Sequence, residues 1–294
     1  MSTVGVRVPA TSANLGPGFD SFGLALALYD DVEATVAEGG VSVEVHGEGA
    51  GEVPTDERHL VARAMLAAFA RLGVPAPGLR LRCVNRIPQA RGLGSSAAAI
   101  VAGVLAARAL TPGGAALSDA AVLALAAELE GHADNVAACL LGGATIAWHE
   151  DTGFRAVRLE PAQNLGAYVF IPPHRSATAE SRELLPPTIA HGDAAFVAGR
   201  AALLTHALTA RPELLFAATE DRLHQRFRAE AMPESLRLVA QLRAAGEAAV
   251  LSGAGPTVLC LSGSGQPDDT VVNAALPGWS TRALELDHGG AIWR

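Results

Sequence analysis

The chain contains no lysine: all 22 of its basic side chains outside histidine are arginine. This excludes the Walker phosphate loop and the protein-kinase ATP site, which both set a lysine against the phosphates. Cysteine is scarce as well. Cys83, Cys139 and Cys260 are odd in number, far apart and set among apolar residues, so they read as buried thiols in a reducing compartment. Aromatics make up only 4% of the chain, leaving Ala, Val and Leu to fill the core. A net charge of −8 argues against a nucleic-acid surface, which would need a basic stripe. No apolar run approaches the ~20 residues of a membrane span, and the N-terminus enters a strand pattern at once with no signal-peptide core. The nine histidines form no H-x-x-x-H spacing, and His149-Glu150-Asp151 reads as a solvated strand end. These absences predict a soluble cytosolic protein acting on neither nucleic acid nor membrane.

What is present is a 294-residue chain, half hydrophobic, long enough for two domains of ordinary size. Residues 4–8, 32–37 and 41–46 read as strands, and 57–72 as an amphipathic helix with Leu60, Val61, Ala64, Met65, Ala68, Phe69 and Leu72 at helical spacing. Ser118 or Asp119 caps a helix reaching Glu130, and Ala144–Trp148 forms a strand. The irregular stretch 154–165 marks the expected junction, dividing the chain into domains 1–155 and 156–294. Beyond it, strands at 167–171, 247–251, 257–261 and 281–286 alternate with helices at 193–209 (capped by Asp193), 234–245 and 268–275. The expected class is α+β.

Arg91-Gly92-Leu93-Gly94-Ser95-Ser96-Ala97-Ala98-Ala99 stands between a strand-like segment and an apolar helix. A glycine turn feeding a helix N-terminus presents free N–H groups and the positive end of the helix dipole, a site for phosphate. Either Ser95 or Ser96 can cap the helix, which leaves the second hydroxyl for a phosphate oxygen or a metal. The G-L-G-S-S spelling also differs from the Rossmann G-x-G-x-x-G.

Three further polar clusters sit in apolar surroundings. In 9–20, Asn14 and Asp20 are the groups able to make directional contacts with a polar ligand. Glu128 and Glu130 end an apolar helix, where negative charge is unfavourable. Either could serve Mg²⁺, but two positions apart they face different sides, so only one can. Gly253-Ala254-Gly255-Pro256 forms a second glycine turn.

Taken together, P-A-T-S-A-N-L-G-P-G-F-D (9–20), R-G-L-G-S-S-A-A-A (91–99), E-L-E-G-H-A-D-N-V-A (128–137) and L-S-G-A-G-P-T (251–257) resemble, in order, the GHMP small-molecule kinases. S-A-N-L-G-P-G-F-D and H-A-D-N-V-A, with the segments 178–186 and 221–228, are similar to the homoserine-kinase branch of that family. The resemblance implies a ribosomal-protein-S5-like N-terminal domain and a ferredoxin-like C-terminal one. It implies ATP over Pro88, Gln89, Ala90, Arg91, Gly92, Leu93, Gly94, Ser95, Ser96, Ala97 and Ala98, with Gly253 and Gly255 closing the site. Mg²⁺ would be held by Ser96 and Glu128, with Glu130 left open as the alternative. L-Homoserine would be held by Asn14, Asp20, Asn135, Arg182 and Arg228, with Thr178 contributing a hydroxyl. Asn135 stands where mevalonate and galactose kinases carry a basic aspartate, which implies in-line transfer without a general base. A homodimer is expected by family likeness alone. The alternatives are another GHMP kinase, for mevalonate or a sugar, and a silent member that binds ATP and metabolite to regulate a partner.

Overall fold

The computed structural model describes residues 2–176, 178–265 and 269–294; the side chains of 178–180, 269 and 270 fall outside that description. Strands β1 (Thr3–Ala13), β2 (Phe22–Ala37) and β3 (Val41–Gly47) come first, then helix α1 (Leu60–Leu72) and β4 (Gly78–Asn85). Helices α2 (Ser95–Leu110), α3 (Asp119–Glu130) and α4 (Asp134–Leu141) follow, with β5 (Ala144–Glu150) and β6 (Gly153–Leu159) after them. The strands pair in the order β1-β2-β4-β3, and β5 joins β2 to β6.

Alternation makes this sheet one-sided. Val4, Val6 and Val8 of β1 are buried, while Thr3, Gly5 and Arg7 face solvent. β3 and β4 run parallel, and α1 makes the crossover that parallel pairing requires. The buried stripe of α1 (Val61, Ala64, Met65, Ala68, Phe69) is the one its spacing predicts. α2 shows no such stripe because it is buried on most sides; a Cβ on its Gly103 would lie 2.7 Å from that of Ala64, so the two helices need the glycine to pack this close.

The second lobe contains β7 (Gly166–Ile171), α5 (Thr178–Glu183), α6 (His191–Thr209), α7 (Leu215–Ala218), α8 (Pro233–Ala244), β8 (Ala248–Leu251), β9 (Val258–Ser262), α9 (Asp269–Val272) and β10 (Ser280–Leu284). Its antiparallel sheet has the order β10-β7-β9-β8, the ferredoxin-like arrangement. A final strand, β11 (Ile292–Trp293), returns to the first sheet and pairs with β1. The larger core cluster crosses between lobes, from Leu24 and Ile100 to Val169, Leu204 and Leu259.

Several local expectations change. Position 155 lies inside β6, which pairs with β5 along its whole length, so the stretch expected to be irregular is strand up to Leu159. Arg155 keeps the alternation between Phe154 and Ala156, but the exposed Val157 and then Arg158 reverse it, which concealed the strand. β1 does not stop at residue 8 but continues to Ala13, and its register shifts between Pro9 and Ala10, where proline cannot donate to the ladder. α6 starts at His191 with no side-chain cap; Asp193 instead accepts a hydrogen bond from Arg226 at 2.8 Å. α9 ends at Val272 rather than 275, and residue 268 lies outside the described residues.

Candidate active site

Two cavities meet at the N-terminus of α2. One lies between the lobes and is lined by Asn14, Asp20, Asn135, Arg182, Arg228 and Gly253 among others. The other is lined by Asp30, Pro54, His59, Val61, Asn85, Gln89 and Ala98. Ala90, Ser95 and Ser96 border both.

The glycine loop is shaped by close approach. Gly92 and Gly94 have φ of +77° and +71°. A Cβ on Gly92 would lie 2.7 Å from the Gly255 carbonyl oxygen, and one on Gly94 would collide with the Thr11 hydroxyl. Gly94 occupies the N-cap without a side-chain hydrogen bond, so neither Ser95 nor Ser96 caps the helix as expected. Both lie in its first turn, where backbone N–H groups lack helical partners. From behind, the Ser252 hydroxyl donates to the Gly92 carbonyl at 2.6 Å and the Gly253 N–H to the Ala13 carbonyl at 3.0 Å. Of the residues expected over the phosphates, Gln89, Ala90, Gly92, Gly94, Ser95, Ser96 and Ala98 border a cavity, as does Gly253. Pro88, Arg91, Leu93, Ala97 and Gly255 border neither cavity. Leu93 and Ala97 are core residues, and the Arg91 guanidinium donates to the carbonyls of Gln89, Pro172 and Pro173.

The acidic helix end corrects one expectation. Glu128 is remote from the cleft: half exposed, it pairs with Arg71 of α1 at 2.6 Å. Glu130, whose side chain is 9% exposed, accepts a hydrogen bond from the Ser96 hydroxyl at 2.5 Å. The helical turn puts these two carboxylates on different faces, and only Glu130 faces the cleft. Burial pushes its pKa up, against the opposing pull of Ser96 and His132. His132 places Nδ1 2.7 Å from Asp134 Oδ1 and Nε2 3.9 Å from Glu130. Burial alone would depress the His132 pKa, but the hydrogen bond to Asp134 and the two carboxylates outweigh it, and the pKa is raised. Asn135 Oδ1 accepts from the Thr11 hydroxyl at 2.8 Å, and the Asn135 N–H donates to Asp134 at 2.7 Å. His132 and Asp134 were not among the expected site residues; the polar break after Gly131 was the signal for them.

Remote parts of the chain form the opposite wall. Asn14 Nδ2 donates to the Gly253 carbonyl at 2.9 Å, and its Oδ1 accepts from the Asp20 N–H at 2.9 Å. Arg182 grips Asp20 through two bonds of 2.9 and 2.5 Å. Arg228 is 1% exposed. Its contacts are with neutral groups: the Ser181 and Gly253 carbonyls at 3.4 Å and His224 Nδ1 at 2.6 Å. Burial lowers its pKa to about 10, leaving it cationic at neutral pH. A buried guanidinium with no carboxylate in ion-pair contact among the described residues can receive an anion. Thr178 opens α5, but its side chain lies outside the described residues.

Residues 59–143 match the GHMP kinases N terminal domain, and 200–277 match the GHMP kinases C terminal domain. The homoserine kinase of Streptomyces avermitilis is 57% identical, covering 99% of this chain and 95% of its own. That of Clavibacter michiganensis is 51% identical, covering 98% and 93%. The crystal structure of homoserine kinase from Cytophaga hutchinsonii superposes with a TM-score of 0.88 at 28% identity, covering 100% of this chain and 98% of that one. With both halves matched and identity sustained from end to end, the chain belongs to the homoserine kinases of the GHMP kinase family.

Proposed function

We infer that the chain transfers the γ-phosphoryl group of ATP to the side-chain hydroxyl of L-homoserine, forming O-phospho-L-homoserine on the route to threonine. The observation that carries this reading is the junction at Ser95 and Ser96: a buried guanidinium with no ion-pair contact among the described residues on the acceptor side, a larger cavity on the other, and a helix N-terminus between them. Adenosine would occupy the second cavity, with its phosphates over the first turn of α2, where free N–H groups and the dipole favour anions. The glycine-loop motif marks only one wall of that second cavity, between Gln89 and Ala99; the others come from β1, β2, β4, α1 and the segment before it, which no motif joined.

The acceptor site suits a zwitterion. Asp20 and Arg182 hold each other. A bound amino acid offers each a replacement partner, ammonium for Asp20 and carboxylate for Arg182 and Arg228. Asn135 would then position the acceptor hydroxyl. Its amide cannot take a proton, so the proposal is in-line transfer governed by positioning and electrostatics, which suits the loose transition state of phosphoryl transfer.

Mg²⁺ fits the same place. The Ser96 hydroxyl and Glu130 carboxylate are adjacent hard oxygen donors beside the phosphate site, and Mg²⁺ ordinarily takes one or two such ligands together with phosphates. When bound, it neutralises charge on the β- and γ-phosphates. Among the described residues no helix is long and apolar enough to cross a membrane. We place the enzyme in the cytoplasm and, on family likeness alone, as a homodimer.

An ADP-release assay with L-homoserine, mevalonate and galactose in parallel tests the assignment. Turnover is expected with homoserine, and turnover with mevalonate alone would overturn it. Asn135→Ala should lower kcat about a hundredfold with little change in the KM for ATP. An unchanged kcat would remove the positioning role.

A further inference from the structure

We propose that His224 is a positioning residue of the acceptor site, holding the Arg228 guanidinium toward the cleft while tying the loop of Asn14 and Asp20 to the second lobe. This rests on the acceptor-site reading above, with Arg228 as the receptor for the substrate carboxylate.

The construction starts at Asp221. Its buried carboxylate accepts the N–H groups of Leu223, His224 and Gln225 at 2.7, 3.1 and 2.8 Å, which fixes the turn. Leu251 N–H is held by Gln225 Oε1 at 2.6 Å, fastening the turn to β8. The imidazole of His224 is fully buried, with Phe19 against it at a centroid distance of 5.1 Å. Nδ1 faces Arg228 Nη1 at 2.6 Å and Nε2 faces the Gly16 carbonyl at 2.8 Å.

These two partners determine the tautomer. Arginine can only donate, so Nδ1 is the bare nitrogen; a carbonyl can only accept, so Nε2 carries the proton. Burial, together with the Arg228 charge, favours this neutral ring and holds the His224 pKa low against the pull of Asp221, whose Oδ2 lies 3.7 Å from Nε2. His224 therefore steadies Arg228 without neutralising it, and the guanidinium charge remains available to an anion.

The other end of the ring acts on the loop. Gly16 has φ +88°, and a Cβ there would lie 2.9 Å from the Thr219 carbonyl carbon, so this loop is seated directly on the second lobe. The Nε2 bond fastens the same glycine. One side chain thus spans an acceptor-site arginine from the second lobe and the substrate loop from the first.

The test is a set of variants assayed for both substrates. His224→Gln keeps a donor near the Nε2 position and loses the acceptor for Arg228. It should raise the homoserine KM about tenfold, with the ATP KM within about twofold. His224→Asn keeps an acceptor near Nδ1 but loses the Nε2 bond to Gly16, so it should recover most of the homoserine KM, to within about threefold of wild type, the remainder being the effect of the loop tie. In the double variant with Arg228→Met, His224→Gln should add nothing to the effect of Arg228→Met alone. Equal effects of Gln and Asn, ATP and homoserine KM values rising together, or multiplicative effects in the double variant would each overturn the proposal. Arg228→Met alone probes the underlying reading. If it leaves the homoserine KM unchanged, the acceptor-site assignment fails and takes this proposal with it. If it raises KM while His224→Gln does not, only the role of His224 falls.

Discussion

Glu130→Gln is expected to reduce kcat about a hundredfold or more and to shift Mg²⁺ dependence to higher concentration, while Glu128→Gln leaves both within about twofold. The contrast follows from placement: Glu130 faces Ser96 in the first turn of α2, where the phosphates are proposed to lie, and Glu128 faces outward to Arg71. Losing the Glu128 pair removes only a half-exposed ion pair, of order 0–1 kcal/mol. Misfolding is not the expected cause of the Glu130→Gln loss. Burial raises the Glu130 pKa, so the folded state holds its proton more tightly than the unfolded chain does. Its contribution to stability is then largest at low pH and falls as pH rises above the ordinary carboxylate range. At neutral pH the neutral amide should therefore melt no lower than wild type. Steady-state kinetics over a Mg²⁺ titration, with thermal melts of both variants, checks this. A loss of activity in Glu128→Gln matching that in Glu130→Gln would show the metal-ligand assignment to be wrong.

Arg228→Met should raise the homoserine KM about a hundredfold or more while the ATP KM stays near wild type. Truncating one partner of a buried, charge-assisted contact typically costs about 2–5 kcal/mol. The native guanidinium is 1% exposed and, among the described residues, its hydrogen-bond partners are neutral. The apolar chain removes the cost of burying a charge but orphans His224 Nδ1 and the Ser181 and Gly253 carbonyls, so Tm is expected within a few degrees of wild type. Arg228→Lys should restore the charge but not the planar fork, and recover only part of the affinity. Binding titrations with homoserine and a melt of each variant separate the two effects. A homoserine affinity within about twofold of wild type in Arg228→Met would exclude Arg228 as the carboxylate receptor.

The parts of the site legible beforehand were those compressed into short runs. The turn from Gly92 to Ala98 was visible because its phosphate chemistry is local: glycines for positive φ, small residues for close approach and a helix N-terminus. Asn14, Asp20, Asn135, Arg182 and Arg228 were named through motif resemblance, and the structure gathers all five around one cleft. Spacing left Glu128 and Glu130 undecided, because either could face the glycine loop until the packing of α3 was known. His224 could not be singled out, since its two partners lie 4 and 208 residues away. Strand β6 and the extension of β1 were missed where Val157-Arg158 and a proline broke the alternation.

Composition and local pattern by themselves determined the α+β class, the absence of a lysine-based phosphate site, the buried stripe of α1 and the glycine loop ahead of α2. These are short-range properties, set by periodicity, backbone permissiveness and the side chains available. Only the tertiary structure decided which glutamate meets Ser96, that β11 returns to the first sheet, and that His224 lies between Arg228 and the loop at Gly16. Each of those depends on which faces of distant elements are buried together. Burial is also what turns an ordinary arginine or glutamate into a group whose charge demands a partner.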